Sequence, residues 1–176
     1  MATIDLIVLG MLKNESLSAY DIQKLVEYRN ISRWVKISTP SIYKKVIQLE
    51  EKGLINSVTM KEGKMPEKAV YSLTEAGERQ FEKLMMEIAG KPIHIFLDFN
   101  AVIVNLDSLP ADKQKSCLAN IEENVANLKS YLQENILAKE NVPEIPETGM
   151  AVLHQQLILA QAIETWITSV KARLEN

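Results

Sequence analysis

Small hydroxyl side chains and basic side chains are concentrated in residues 38–48 of the chain. Pro40 and Gly53 bound a run with helical spacing, so the sequence predicts a helix over 40–52. Short hydroxyls at its start can approach a base edge closely, and lysines can neutralise phosphates. The predicted chemistry is therefore contact with a polyanion. The candidate contacts are Ser38, Thr39, Ser41, Tyr43, Lys44, Lys45 and Gln48, of which Gln48 has an amide suited to adenine.

The same helix has an apolar face, on which Ile42, Val46 and Leu49 are predicted to pack inward. Lys45 is expected on the roughly opposite, polar side, and Tyr43 between the two. Apolar and polar stripes are also what an ordinary surface helix shows, and hydroxyls at a helix start serve as caps as well as contacts. From this segment alone, both interpretations stay open.

The surrounding elements favour nucleic-acid recognition. Helices are predicted over 4–13 and 19–28, and after the 40–52 helix come two strands, 54–60 and 69–73, joined by a charged turn. This order, followed by a helix over 75–89, is that of a winged helix-turn-helix, whose hairpin can reach the DNA backbone. On that hairpin the candidate DNA contacts are Lys64 and Lys68, with exposure to solvent alone as the alternative.

The second half of the chain reads as helical throughout. The sequence predicts an apolar helix over 93–106, a long helix to about residue 138, and a last helix over 150–174 with two apolar seams. Two seams on one helix require two partners. We therefore expect a mainly α fold with a small β-hairpin: a winged helix-turn-helix domain, residues 1–90, followed by an all-helical dimerisation domain, residues 91–176.

Charge is distributed unevenly along the chain. The net charge is -3, yet residues 18–68 have ten Lys and Arg against six Asp and Glu, and residues 91–176 have seven against eleven. The local excess of four positive charges in the first region suits a polyanionic partner, although charge excess is often only solvated surface.

Other functional classes have little support in the sequence. Cys117 is the single cysteine, so no internal disulfide forms, and a reducing compartment, the cytoplasm, is expected. No secretory signal or membrane span is predicted. His94 and His154 lack the spacing of metal ligands, and no phosphate loop or nucleophile motif is present. We expect no enzyme activity, no cofactor and no metal.

Five short motifs, taken together and in order, resemble the PadR family of bacterial transcriptional regulators. They are Leu9-Gly10-Met11-Leu12, Leu17-Ser18-Ala19-Tyr20-Asp21-Ile22, Ser38 through Tyr43, Leu49-Glu50-Glu51-Lys52-Gly53-Leu54-Ile55, and Tyr71-Ser72-Leu73-Thr74-Glu75-Ala76-Gly77. The segment 157–175 is similar to the terminal dimerisation helix of one subgroup. Two positions depart from the family pattern, since Lys44 replaces a proline and Ala19 replaces a glycine.

The resemblance implies a homodimeric, sequence-specific repressor that binds a two-fold symmetric operator in double-stranded DNA. It also implies a possible small hydrophobic or aromatic effector, for which the candidate residues are Phe96, Phe99, His154 and Trp166. These aromatic residues are alternatively packed in the domain core or the dimer interface. A second hypothesis for the whole chain is a winged-helix protein-interaction module that binds no operator.

Overall fold

A computed structural model describes residues 2–37, 40–61 and 67–174 of the chain. It divides into two compact units: residues 1–93, the N-terminal unit, and residues 94–176, the C-terminal unit. The N-terminal unit contains, in chain order, α1 (Ala2–Asn14), β1 (Leu17–Ser18), α2 (Ala19–Tyr28), a 3₁₀ turn (Ile31–Arg33), α3 (Ser41–Glu51), β2 (Ile55–Met60), β3 (Lys68–Leu73) and α4 (Glu75–Ala89).

The start of α2 is held by the capping box that the sequence predicts. The Ser18 side chain accepts a hydrogen bond from the Asp21 backbone, and the Asp21 carboxylate accepts one from the Ser18 backbone. Two N–H groups that the helix leaves unpaired are thereby satisfied. Ser38 and Thr39, the predicted caps of α3, lie outside the described residues.

The end of α3 is a Schellman motif built on a glycine. Gly53 has a φ of 67°, a left-handed conformation that other residues adopt only with strain. Its N–H donates to the Glu50 carbonyl, and the Leu54 N–H donates to the Leu49 carbonyl. This turn passes the chain directly into β2, so the first wing strand is fixed to the end of α3.

The β-sheet has three antiparallel strands in the order β1-β3-β2, not the two that the sequence predicts. Ile55 pairs with Leu73 and Met60 with Lys68, which gives the expected hairpin, while Leu17 pairs with Tyr71 on the other edge of β3. A strand of two residues is too short to show alternation, so its sequence contained no period to detect. The third strand joins the connection between α1 and α2 to the hairpin.

One apolar core organises the N-terminal unit. It combines α1, α2, α3, the sheet and α4, and its fully buried side chains are Val8, Leu9, Ile22, Val26, Ile42, Val46, Leu49 and Ile55. The predicted inward face of α3 is therefore confirmed. Since three of these side chains belong to α3, burial fixes both the position of that helix and its rotation about its own axis.

The C-terminal unit contains a short helix, α5 (Asn100–Ile103), a 3₁₀ turn (Leu106–Ser108), and two long helices, α6 (Ala111–Lys139) and α7 (Glu147–Leu174). The long helices pack against each other around Leu118, Ile121, Val125 and Ile167. Two ion pairs also join them: Lys129 Nζ lies 2.5 Å from a Glu164 oxygen, and Lys171 Nζ lies 2.6 Å from Glu122.

The helix predicted over 93–106 is wrong. Residues 94–97 have no regular structure, and only the short α5 and a 3₁₀ turn follow. The segment is rich in β-branched residues, which lose side-chain freedom in a helix, and Asn105 turns its amide back to the Ala101 carbonyl at 2.8 Å. Apolar content alone was mistaken for helix propensity. Within residues 2–37, 40–61 and 67–174, no helix is long and apolar enough to cross a membrane.

Candidate nucleic-acid interface

The surface of α3 that faces away from the core carries four of the five contacts predicted on that helix. Tyr43 is 44% exposed, Lys44 is exposed, and Ser41 and Gln48 are half-buried. Ser41, Lys44 and Gln48 are three and four positions apart, so they share one side of the helix. A hydroxyl, an ammonium and an amide thus lie in a row along one helix, which suits hydrogen bonding to base edges and phosphates.

Lys45 is placed differently from its expected outward position. It is only 7% exposed, and its Nζ lies 2.7 Å from Oδ1 of Asp5 on α1. Since position 45 is three residues from the buried Ile42, it lies about 60° around the helix from it, and this places Lys45 beside the core. The predicted placement of Lys45 opposite the apolar face was therefore wrong. The residue spacing alone already gives the angle of about 60° that contradicts it.

The contact between Lys45 and Asp5 is an ion pair with poor hydrogen-bond alignment. The Asp5 side chain is 18% exposed, and its Oδ1 is buried without a hydrogen bond of acceptable geometry within the described residues. Lys45 is therefore the cation that balances this carboxylate. The pair ties α3 to the first half of α1.

A cleft of about 370 Å³ opens along the same side of α3. Its walls come from three segments: the first turn of α1, residues 36–37 in the connection between α2 and α3, and α3 itself. The lining residues are Thr3, Ile4, Lys36, Ile37, Ser41, Lys44, Lys45 and Gln48. Thr3 and Lys36 were not among the predicted site residues, because nothing in the sequence places α1 beside the start of α3.

The wing is described up to its tip. Lys68, at the start of β3, is exposed, and its Nζ lies 3.9 Å from an Asp21 oxygen at the start of α2. Lys61 lies 3.9 Å from Glu67 across the base of the turn. Lys64, the other predicted contact on the wing, lies outside the described residues. The structure thus places Lys68 beside α2 and adds Lys61 as a paired surface charge.

The electrostatics of the α2 cap follow from its hydrogen bonds. The Ser18 hydroxyl donates to the Asp21 carboxylate at 2.7 Å, and this bond holds the pKa of Asp21 below its ordinary value. Partial burial opposes the shift, and the charge of Lys68 adds to it. Asp21 therefore stays ionised at neutral pH, where it both caps α2 and attracts Lys68.

The C-terminal unit contains an apolar cavity of about 460 Å³. Phe99 and Trp166 line it and stack with ring centroids 5.7 Å apart. The remaining lining residues are Ile95, Leu97, Asn100, Leu128, Gln156, Leu159, Ala160, Ala162 and Ile163. Two of the four predicted effector residues are thus brought together. Phe96 is 86% exposed and stacks on His94 at 6.0 Å, while His154 is exposed, and neither lines the cavity.

The part of the chain that the structure describes has no cluster of three or more His, Cys, Asp or Glu suited to a metal ion. Cys117 is a free, half-buried thiol beside the core of the C-terminal unit.

Residues 8–83 match the model of the transcriptional regulator PadR-like family. Residues 8–83, somewhat less than half of the chain, therefore form a PadR-like domain. Members of the family are transcription regulators, not enzymes, and the expected family is confirmed. No curated protein matches the chain.

Solved structures with this PadR-like fold extend the likeness to both units. Bacillus subtilis PadR in complex with operator DNA is 20% identical, with 98% of this chain and 99% of that chain covered and a TM-score of 0.84. The same protein in complex with p-coumaric acid is 20% identical, with 98% of this chain and 99% of that chain covered and a TM-score of 0.82. The Vibrio cholerae virulence activator AphA is 23% identical over 98% of each chain, with a TM-score of 0.74. At these identities the likeness establishes the fold: the mainly helical winged-helix architecture is confirmed.

Proposed function

We propose that this PadR-like regulator is a cytoplasmic homodimer that represses transcription by binding a two-fold symmetric operator. The observation that carries the proposal is the row of Ser41, Lys44 and Gln48 on the outer side of α3, with exposed Tyr43 beside it. In helix-turn-helix proteins the N-terminal residues of such a helix contact base edges. Operator DNA bound to Bacillus subtilis PadR supports the same partner here.

Selection of bound sequences from a random pool of double-stranded DNA tests this proposal. We expect the selected sequences to contain two inverted half-sites about one helical turn, or a multiple of it, apart. Fluorescence anisotropy with the selected DNA should then show affinity that falls steeply with salt. A pool without enrichment, together with a stoichiometric protein partner recovered with the purified chain, would instead support a protein-interaction module.

Lys44 gives the sharpest single test of the α3 surface. If its ammonium neutralises one phosphate, Lys44→Ala should reduce the slope of log affinity against log salt by about 0.9. Lys113→Ala is the matched control, because Lys113 is an exposed lysine of the C-terminal unit. An unchanged slope for Lys44→Ala would remove this residue from the DNA interface.

Dimerisation is proposed to use the C-terminal unit. On α7, Ile158 is 64% exposed and Leu159 and Trp166 are each 36% exposed, although the α6 side of the helix is buried. Apolar side chains left uncovered along a long helix favour contact with a second copy. Analytical ultracentrifugation should show a dimer that Ile158→Glu dissociates. If the dimer is as stable in this variant as in the wild type, this face of α7 is not part of the dimer interface.

The apolar cavity is proposed to bind a small hydrophobic or aromatic effector that releases DNA. The stacked rings of Phe99 and Trp166 can pack against a planar ring of the ligand, and the side-chain amides of Asn100 and Gln156 can form hydrogen bonds to its polar groups. The p-coumaric acid bound to Bacillus subtilis PadR supports this class of ligand.

The test uses the fluorescence of Trp166 in a Trp34→Phe background, so that one tryptophan reports. We expect p-coumaric acid to quench this fluorescence and to weaken DNA binding over the same concentration range. Quenching with unchanged DNA affinity would refute release, and the absence of quenching would show that the cavity does not take this compound.

A further inference from the structure

The cleft beside α3 combines several groups that bind anions. Thr3 and Ser41 contribute hydroxyls, and Lys36 and Lys44 contribute exposed ammonium groups. Hydroxyl and ammonium donors are the side chains that contact phosphate oxygens in protein–DNA interfaces. The cleft lining thus has the donor chemistry of a phosphate site, and two of these four donors, Thr3 and Lys36, come from outside α3.

The charge balance of the cleft favours an anion. The described residues that line it include three lysines and no Asp or Glu, and one of the lysines, Lys45, lies 2.7 Å from Asp5. Neither Lys36 nor Lys44 forms an ion pair within the part of the chain that the structure describes. Among the described residues, two positive charges at one cleft therefore have no protein counter-ion, and the low-dielectric walls of the cleft concentrate their field.

The size and position of the cleft suit the DNA backbone. At about 30 Å³ per water, a volume of 370 Å³ corresponds to roughly a dozen waters, enough for a phosphate group with part of its hydration. Ser41, Lys44 and Gln48 belong both to the cleft and to the outer row of α3. When that row enters a major groove, the cleft is therefore next to the strand that borders the groove.

We propose that the cleft holds one backbone phosphate of the bound DNA, with Lys36 and Thr3 as contacts from outside α3. This inference rests on the proposed function. The phosphate would lie in the space between α1 and α3. Lys45 would balance the charge of Asp5, so that this carboxylate does not repel the DNA.

The test uses the full chain and the DNA selected from the random pool, with anisotropy titrations from 0.05 to 0.3 M salt. Lys36→Ala should reduce the salt slope by about 0.9, which corresponds to about eightfold weaker binding at 0.1 M salt and about fourfold at 0.2 M. The loss should be equal for all DNA sequences, because a phosphate contact reads no base. Lys36→Arg should keep the wild-type salt slope. Thr3→Val should weaken binding but leave the salt slope unchanged.

Lys91→Ala is the matched control, since Lys91 is an exposed lysine of the same unit that does not line the cleft. If Lys36→Ala binds with the wild-type slope while Lys44→Ala does not, the cleft assignment is overturned and the proposed function stands. If the wild-type chain binds no DNA, both fail.

A free phosphate is the other source of the same chemistry. Titration of the DNA-free chain with inorganic phosphate, followed by amide NMR shifts of Thr3, Lys36 and Ser41, separates the two sources. Saturable shifts at millimolar phosphate combined with an unchanged DNA salt slope in Lys36→Ala would overturn the backbone assignment. Weak, unsaturated shifts combined with the reduced slope would support it.

Discussion

The buried ion pair between Lys45 and Asp5 makes a quantitative prediction about stability. Lys45→Met keeps most of the apolar stem but removes the ammonium, which leaves the Asp5 carboxylate largely buried and without its cation. Breaking a buried pair by removing one partner costs about 3–5 kcal/mol, and the 18% exposure of Asp5 places this case at the lower end, about 3 kcal/mol. A domain of the size of the N-terminal unit, residues 1–93, loses about 4–8 °C in Tm per kcal/mol of destabilisation. We therefore expect the Tm of this unit to fall by roughly 12–24 °C.

A charge-free double variant separates the pair from the individual side chains. Asp5→Asn with Lys45→Met removes both charges at similar volume, a replacement that is often neutral. Calorimetry of the full chain should therefore show the double variant close to wild type and well above Lys45→Met. A single variant as stable as wild type would show that the pair does not form in solution, and a double variant no more stable than the single would refute the coupling.

The same variants decide how Lys45 serves DNA binding. If Lys45 acts only by balancing Asp5, the double variant should bind DNA with the wild-type salt slope. If Lys45 contacts a phosphate, as first expected from the sequence, the double variant should lose about 0.9 from that slope while remaining stable. The two interpretations thus differ in one measured slope.

Two further predictions concern the frame around the interface. A Cβ at Gly77 would lie 2.0 Å from the Leu54 carbonyl oxygen, so Gly77→Ala should destabilise the chain in urea unfolding by at least about 3 kcal/mol, whereas Gly90→Ala, whose nearest neighbour is at 3.4 Å, should change little. Ser18→Ala should cost about 1 kcal/mol at pH 7, and the difference should narrow as the pH falls from 3.8, the ordinary pKa of this carboxyl, through the lower pKa that Asp21 has in the folded chain. A difference independent of pH would contradict that role for Asp21.

The parts of the fold that the sequence predicted are those set by local signals. The capping box at Ser18 and the glycine turn at Gly53 each depend on residues only a few positions apart. The inward face of α3 follows in the same way from helical spacing. These features need no knowledge of what lies across the core, so the sequence is sufficient for them.

The features that sequence reasoning missed depend on partners distant along the chain. Strand β1 exists because Leu17 pairs with Tyr71, and Thr3 lines the cleft because α1 lies beside the start of α3. Neither partner can be read from local periodicity. The wrong helix over 93–106 has a different, local origin: apolar content predicted a helix, whereas the β-branched shapes of several of its residues disfavour one.

Lys44 and Lys45 show why a count of charges underestimates the organisation of the interface. The two lysines are adjacent and chemically identical, but a rotation of about 100° places one in solvent and the other beside the core. Lys45 is buried, and its ammonium group balances the negative charge of the Asp5 carboxylate. Lys44 and Lys36 line the cleft, and neither forms an ion pair within the described residues. If the proposed function is correct, the positive charge available to DNA is therefore smaller than the number of lysines suggests but concentrated at one place, an arrangement suited to positioning a phosphate.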